Sequence, residues 1–360
     1  MRLGLSCGFW GMGRDSDNLA LVDRAEQLGY EVVWASEAYG PDAATVLAWI
    51  GARTQQIGLG AGVLQIPGRT PAMTAMTAAS LDSLSGGRFR LGLGVSGPQV
   101  SEGWHGVPFA KPLGRTREYA SIVRTALARR AVEHHGEHFT LPLPDGPGKA
   151  LRLNVLPSRT SVPLYLAAVG PRNLELAGEI ADGWLGVFVS PDYLGEQLAA
   201  IGRGRKARAG RHGTPADGPA TGHDEPFAID ATVPVAVGDD VSRCAATVAP
   251  YAALYVGGMG SRSQNFYNQL AVRMGYEQEA AKVQDLYLAK QWRDAAAAVP
   301  EAFVDDTSLL GPAGRLASRM QRYADAGVST LTVAPWGDDL AARMASLEAA
   351  AEAIDRAKTT

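Results

Sequence analysis

Ile57-Gly-Leu-Gly-Ala-Gly-Val-Leu-Gln65 and Phe89-Arg-Leu-Gly-Leu-Gly-Val-Ser-Gly97 are two short apolar runs, each bounded by turn residues. Strands buried on both faces read this way, and the segment between them is long enough to carry a crossover helix between parallel neighbours. That segment is well signed. Thr70 is a candidate N-cap, Pro71 suits the first helical position, and Gly86 suits the left-handed residue past the end, so a helix is predicted over 70–85. Met73, Met76, Leu81 and Leu84 recur at helical spacing and are expected to face the core. The whole is one βαβ unit.

Glycines crowd the C-terminal ends of both runs: Gly60 and Gly62 in the first, Gly92, Gly94 and Gly97 in the second. Glycine inside a strand marks a bulge or a place where a flat group or another backbone comes close. In parallel sheets the strand C-termini are also the ligand end. Gly92-Leu-Gly-Val-Ser-Gly97 spells the dinucleotide fingerprint, but that fingerprint needs its glycines to open a helix directly after a strand. Here Pro98 follows and 99–106 reads as a loop, so a Rossmann nicotinamide site is set aside.

The same rhythm extends in both directions. Strands are predicted over 3–8, 31–36, 57–65, 89–97, 162–169, 184–189, 231–237 and 330–335, each followed by helix. The first helix is expected to start at Asp17 as N-cap, the fourth to span 115–133, and the helix after the fifth strand to be capped by Asn173. Eight such repeats predict an α/β fold, a (β/α)8 TIM barrel with loop insertions. At 360 residues the chain exceeds the roughly 250 of a plain barrel, so insertions are expected, near 134–161, 203–228 and 255–300, within a single domain over 1–360. The basic run over 203–211 and the Gly- and Pro-rich stretch over 210–226 read as a solvated helix end and loop, or more sharply as a site for an acidic tail. The segment Tyr255-Val-Gly-Gly-Met-Gly-Ser261 interrupts the last, helical insertion.

A net charge of −3 and a pI near 6.1 carry no nucleic-acid or membrane footprint. Cys7 and Cys244 are far apart and give no metal spacing, so neither a disulfide scaffold nor a metal site is expected. No run approaches a membrane span and no signal-peptide pattern opens the chain, so a cytoplasmic protein is expected.

Four segments carry a resemblance: Val33-Trp-Ala-Ser-Glu-Ala-Tyr-Gly-Pro-Asp42; the helix and turn ending in Ala79-Ser-Leu-Asp-Ser-Leu-Ser-Gly-Gly-Arg-Phe89; the strand and loop over 91–105; and Tyr165-Leu-Ala-Ala-Val-Gly-Pro-Arg-Asn-Leu174 with Ile180-Ala-Asp-Gly-Trp184. In these the chain resembles the luciferase-like flavin and deazaflavin oxidoreductases, and within them the branch that uses coenzyme F420, a 5-deazaflavin. Flavin mononucleotide (FMN) is the alternative cofactor, since its users share the barrel.

The resemblance implies roles at matching positions. The ring would rest on a bulge after the third strand that contains a cis peptide, here Gly62–Val63. The Val95 backbone and Ser96 would touch the ring's polar edge. Main-chain donors around Val169, Gly170 and Pro171, with Arg172 beside them, would hold the cofactor phosphate at a helix N-terminus; proline itself supplies no N–H. Two departures matter. A histidine that several members carry after the second-strand acid is here Ala38, and the glutamate of the sugar-phosphate dehydrogenases is here Gly97, so that dehydrogenase acid/base pair is absent.

The resemblance then implies hydride transfer from reduced F420 to an activated C=C or C=N bond, with a proton delivered to the neighbouring atom. Glu37, Tyr39 and His105 fall on loops at the catalytic end and are the candidate acids. Trp10, Tyr39 and Trp104 are candidate pocket walls. A small-molecule or modified-peptide natural product is the expected substrate and a homodimer the expected assembly. An FMN-dependent monooxygenase is the competing reading, and a barrel that binds cofactor without turnover a third.

Overall fold

The computed structural model describes all residues except 9, 160, 212–225 and 360. Eight parallel strands run in chain order: β1 (Arg2–Ser6), β2 (Val32–Ala35), β3 (Gly58–Ala61), β4 (Phe89–Gly94), β5 (Leu164–Ala167), β6 (Gly183–Val187), β7 (Ala228–Ala236) and β8 (Thr330–Pro335). Each pairs with its successor, and β8 returns to β1 through Leu3 opposite Leu331, so the sheet closes and has no free edge. The main crossover helices are α1 (Asp15–Gln27), α2 (Ala43–Arg53), α3 (Pro71–Leu84), α4 (Pro112–Leu127), α5 (Pro171–Ile180), α6 (Leu194–Arg211), α7 (Ala313–Asp325) and α8 (Leu340–Thr359). This is the expected (β/α)8 barrel.

The bore below the mouth is filled by side chains, as barrels of this size require. Trp34, Val32 and Tyr165 form its apolar plug with Leu185 and Ala228. Asp230 sits among them, accepting from Trp34 Nε1 at 3.0 Å and from Thr332 Oγ1 at 2.6 Å. Two of the strand glycines belong to this packing. A Cβ on Gly60 would overlap the Trp34 indole, and one on Gly92 would overlap the Ala61 carbonyl. The flat group that comes close to Gly60 is therefore the chain's own tryptophan.

Helix α3 begins as its sequence predicts, with Thr70 Oγ1 accepting from Met73 N at 3.2 Å and Gly86 at φ 66° just past its end. Of the four residues expected on its buried face, only Leu81 is there. Ala75, Ala78, Ala79 and Leu81 pack on the barrel, whereas Met73 and Met76 are each 51% exposed and Leu84 is 82% exposed. Small side chains let the helix lie close to the strands, and the methionines turn outward.

Several boundaries also move. Arg14, not Asp17, occupies the α1 N-cap, and Asp15 Oδ1 accepts from Gly11 N at 2.7 Å. Gly170, not Asn173, is the N-cap of α5. Helix α4 starts three residues earlier than predicted, behind Pro112, and ends at Leu127. Of the stretch 99–106 read as loop, residues 99–103 belong to a short helix, Pro98–Gly103, which Pro98 opens. A two-residue strand, Leu309–Leu310, pairs with the end of β7 and carries no sequence signal of its own.

The insertion near 134–161 holds a small hairpin, His134–His135 with Thr140–Leu141. The basic run over 203–211, to which the acidic-tail reading belongs, finishes α6; the stretch over 212–225 that follows it lies outside the described residues. Between β7 and α7 the chain folds into helices Val241–Ala253, Phe266–Arg273, Glu277–Leu288, Trp292–Ala297 and Glu301–Asp306, which enclose a second apolar core around Phe188, Val256 and Phe303. Among the described residues no helix is long and apolar enough to cross a membrane.

Candidate active site

The mouth is made by whatever follows each strand's C-terminus. After β3 the Gly62–Val63 peptide is cis, as the resemblance implies, and the chain then resumes pairing beside β4 through Leu64 and Gln65. Gly62 N donates to Ala35 O at 2.8 Å, and the Val63 side chain lies against Gly94, where a Cβ would leave it no room. Leu64 and Gln65 are buried behind the bulge, while Gly62 and Val63 keep partial exposure on its front.

Polar side chains brace this bulge from below. Glu37, with a side chain only 8% exposed, accepts from Gln65 N at 3.2 Å and Ala43 N at 3.1 Å, and forms an ion pair with Arg69. Burial opposes the charge on Arg69, yet its contacts with Glu37 and Asp42 hold it protonated. Gln65 in turn donates to Ala38 O and accepts from Ser96 Oγ at 2.7 Å. Ser96 adopts φ 64°, a left-handed conformation uncommon for a residue with a side chain. The tips of β2, β3 and β4 are thus locked to one another through Glu37, Gln65 and Ser96. Val95, beside Ser96, lines a shallow cleft with Ile66, Phe109 and Arg115.

At the next strand, β5, Val169 and Gly170 lead into α5. Gly170 has no side-chain cap and its missing Cβ faces open space; Pro171 takes the first helical position, where no donor is lost. The first-turn N–H groups and the helix dipole make this end attractive to an anion. Arg172 is exposed beside it, and Arg273, from the β7–α7 insertion, reaches over to the Val169 carbonyl at 3.4 Å. Among the described residues, three buried polar atoms near the mouth find no protein partner: Trp10 Nε1 and His105 Nε2 on loops, and Asn173 Oδ1 in the first turn of α5. Buried polar atoms are rarely left so, and a bound ligand is one way to satisfy them.

The candidate acids are placed unequally. Glu37 is built into the brace. His105 lies over the turn Ile66–Gly68, where a Cβ on Gly68 would come 3.1 Å from its ring. Tyr39 stands at the β2 tip, 64% exposed. Of the candidate walls, Trp10 is 3% exposed and packs edge-on against Trp49, while Trp104 is 68% exposed. Gln65, Arg69 and Arg273 escaped the sequence reading. Gln65 ends the quoted apolar run, a polar residue in a buried position, and could have been found; Arg273 gives no local signal.

A platform at the third-strand bulge, an anion-ready helix N-terminus two strands further on, and unpartnered polar atoms around them suit a flat ring with a phosphate-bearing tail. The closed ring of strands places the chain among the TIM-barrel proteins. Within that class it belongs to the luciferase-like monooxygenase family, whose model matches residues 12–330. A Mycobacterium tuberculosis protein assigned to the coenzyme F420-dependent oxidoreductases is 42% identical over 338 residues, covering 92% of this chain and 94% of its own. The F420-dependent tetrahydromethanopterin reductase of Methanopyrus kandleri superposes with a TM-score of 0.78 at 21% identity, covering 99% and 98% of the two chains. The FMN-bound oxygenating component of 3,6-diketocamphane monooxygenase from Pseudomonas putida superposes with a TM-score of 0.65 at 18% identity over 98% and 97%.

Proposed function

We propose that the protein is a coenzyme F420-dependent oxidoreductase that reduces an activated C=C or C=N bond of a small-molecule or peptide natural product. The platform at Gly62 and Val63, braced through Glu37, Gln65 and Ser96 and two strands away from the open N-terminus of α5, carries this reading. A bound reduced deazaflavin supplies hydride to an electrophilic carbon. Gly62 and Val63 support the ring from one face, the Val95 backbone and Ser96 meet its polar edge, and main-chain donors at Val169, Gly170 and Arg172 hold the phosphate, Pro171 fixing the turn. Arg273 adds positive charge to the tail site.

Glu37 acts in this scheme through the backbone it holds, because both its oxygens already accept hydrogen bonds. His105 and Tyr39 are left as the groups able to deliver a proton from the chain: the first has a free ring nitrogen, the second an exposed hydroxyl. The FMN-dependent monooxygenase reading is kept alive by the FMN-bound neighbour, since the donors of the mouth serve any phosphate-bearing ring. The proposal extends to a cytoplasmic homodimer with neither nucleic acid nor membrane as partner. Trp49 on α2 and Met73 and Met76 on the adjoining α3 are half exposed and offer the apolar face such a dimer would cover.

Fluorescence titration of the purified protein with F420 and with FMN tests the cofactor. Gly170→Asp is the matching variant, because its new carboxylate enters open space and meets the phosphate rather than the protein. Tight F420 binding that is lost in Gly170→Asp is expected. Tight FMN binding without F420 binding would establish the second reading instead.

A further inference from the structure

The interrupted segment of the last insertion is built around a π turn. Helix Val241–Ala253 runs straight into Leu254–Gly258, a single π-helical turn, a feature that concentrates at functional positions. Its carbonyls are taken up by side chains. Asn265, 1% exposed, donates to Tyr255 O at 2.9 Å and to Val256 O at 3.0 Å, and Asn268 donates to Val256 O at 3.2 Å. The Tyr287 ring lies against Gly257 and Gly258, leaving no space for a Cβ on either.

What this turn presents is a wall of aromatic rings. Tyr255 stands 4.7 Å from Tyr251 and 4.8 Å from Tyr267 between ring centroids. Phe188, held at φ 52° just beyond β6, approaches all three at 5.2, 5.4 and 6.2 Å, and Trp336 beyond β8 closes the row 5.7 Å from Tyr251. In an eight-membered ring of strands β7 is four places from β3, so the wall stands across the mouth from the Gly62–Val63 bulge. Solvent still reaches part of each tyrosine, although the apolar core of the insertion lies directly behind them.

Burial resists ionisation of all three hydroxyls. Tyr255 is the middle ring of the three, in contact with both Tyr251 and Tyr267.

We propose that the Tyr251, Tyr255 and Tyr267 face, backed by Phe188, binds a neutral, planar, conjugated carbonyl or imine compound, with the Tyr255 hydroxyl donating to its heteroatom. Aromatic faces take flat π systems, and a largely desolvated wall of uncharged rings penalises an ion. The proposal rests on the deazaflavin reading in one respect: it makes this compound the substrate of that site. Binding itself needs no cofactor.

Calorimetric titration of the full cofactor-free chain with coumarin, a neutral planar carbonyl probe, and with coumarin-3-carboxylate, its charged analogue, tests this. Coumarin is expected to bind, Tyr255→Phe to weaken it by about three- to tenfold as the loss of one neutral hydrogen bond, and Tyr267→Phe to leave it unchanged. The carboxylate is expected to bind about tenfold more weakly than coumarin or worse. F420 titration of the same variants is expected to show equal affinities. No binding of coumarin, equal affinity in Tyr255→Phe, equal weakening in Tyr267→Phe, or tighter binding of the carboxylate would overturn the site. Coumarin binding as expected with no F420 binding would instead overturn the cofactor reading and leave this site standing.

Discussion

The Trp34 indole on β2 donates across the inside of the barrel to Asp230 on β7, Nε1 to Oδ2, at 3.0 Å. Desolvation pushes the Asp230 carboxyl up to about 7, against the opposing pull of the Thr332 hydroxyl, Arg90 and the Trp34 N–H. A carboxyl that is neutral over part of the physiological range is thus placed in the plug beneath the mouth.

That placement predicts a pH signature in stability. The unfolded chain loses the Asp230 proton near pH 3.8, whereas the folded chain holds it to about 7. Between these values the native state binds the extra proton, so this group makes stability fall as pH rises through the window and contributes no slope outside it. Asp230→Asn cannot ionise. The difference in Tm between variant and parent, followed by circular dichroism from pH 4 to pH 7.5, is expected to shift steadily in favour of the variant. A constant difference would mean that the carboxyl titrates normally.

Gly60 and Gly170 make opposite predictions for the same substitution. Gly60→Ala forces a Cβ into the Trp34 ring between packed strands, a case of overpacking that costs about 1–3 kcal/mol. Gly170→Ala places a methyl in open space at φ −80°, and a change within about 0.5 kcal/mol is expected. Urea unfolding of the two variants decides the matter; equal effects would remove the distinction drawn between packing and ligand-side glycines.

That distinction marks the limit of what the sequence makes legible. The eight strands, the α3 cap at Thr70 and the cis bond at Gly62–Val63 follow from local chemistry or from the resemblance. The partner of Gly60 is not legible, because Trp34 reaches it from another strand. Nor is the outward turn of Met73 and Met76, since alanines supply the close-packed face and an apolar stripe looks the same whether it meets a core or a partner. Glu37 can be placed at the mouth by its position after β2, but Arg69, which decides its role, lies beyond the bulge. Arg273 and the π turn under Tyr255 depend on an insertion whose fold has no repeat to betray it.

Removing the charge of Glu37 tests the brace. In Glu37→Gln the amide can accept through one oxygen only, leaving either a backbone N–H or Arg69 short of a partner. Because the pair is largely buried, a loss of about 2–4 kcal/mol in stability is expected, together with weaker cofactor binding as the bulge loosens. If Glu37 instead delivered a proton, the variant would bind cofactor like the parent and lose turnover alone. Fluorescence titration beside chemical denaturation separates the two outcomes.

The outward face of α2 and α3 carries the remaining prediction. Trp49, Met73 and Met76 are about half exposed, and half-exposed large apolar groups on two packed helices are costly for a protein that stays alone. A second copy related by a twofold axis would bury the same patch twice, the usual geometry of a homodimer. Met76→Glu puts a charge into that contact without touching the barrel core, so the monomer should keep its stability within about 0.5 kcal/mol while association weakens. Light scattering coupled to size-exclusion chromatography over a dilution series is expected to show a dimer for the parent and a monomer for Met76→Glu at the same concentration. An unchanged dimer in the variant would move the interface elsewhere, and a monomeric parent would remove it.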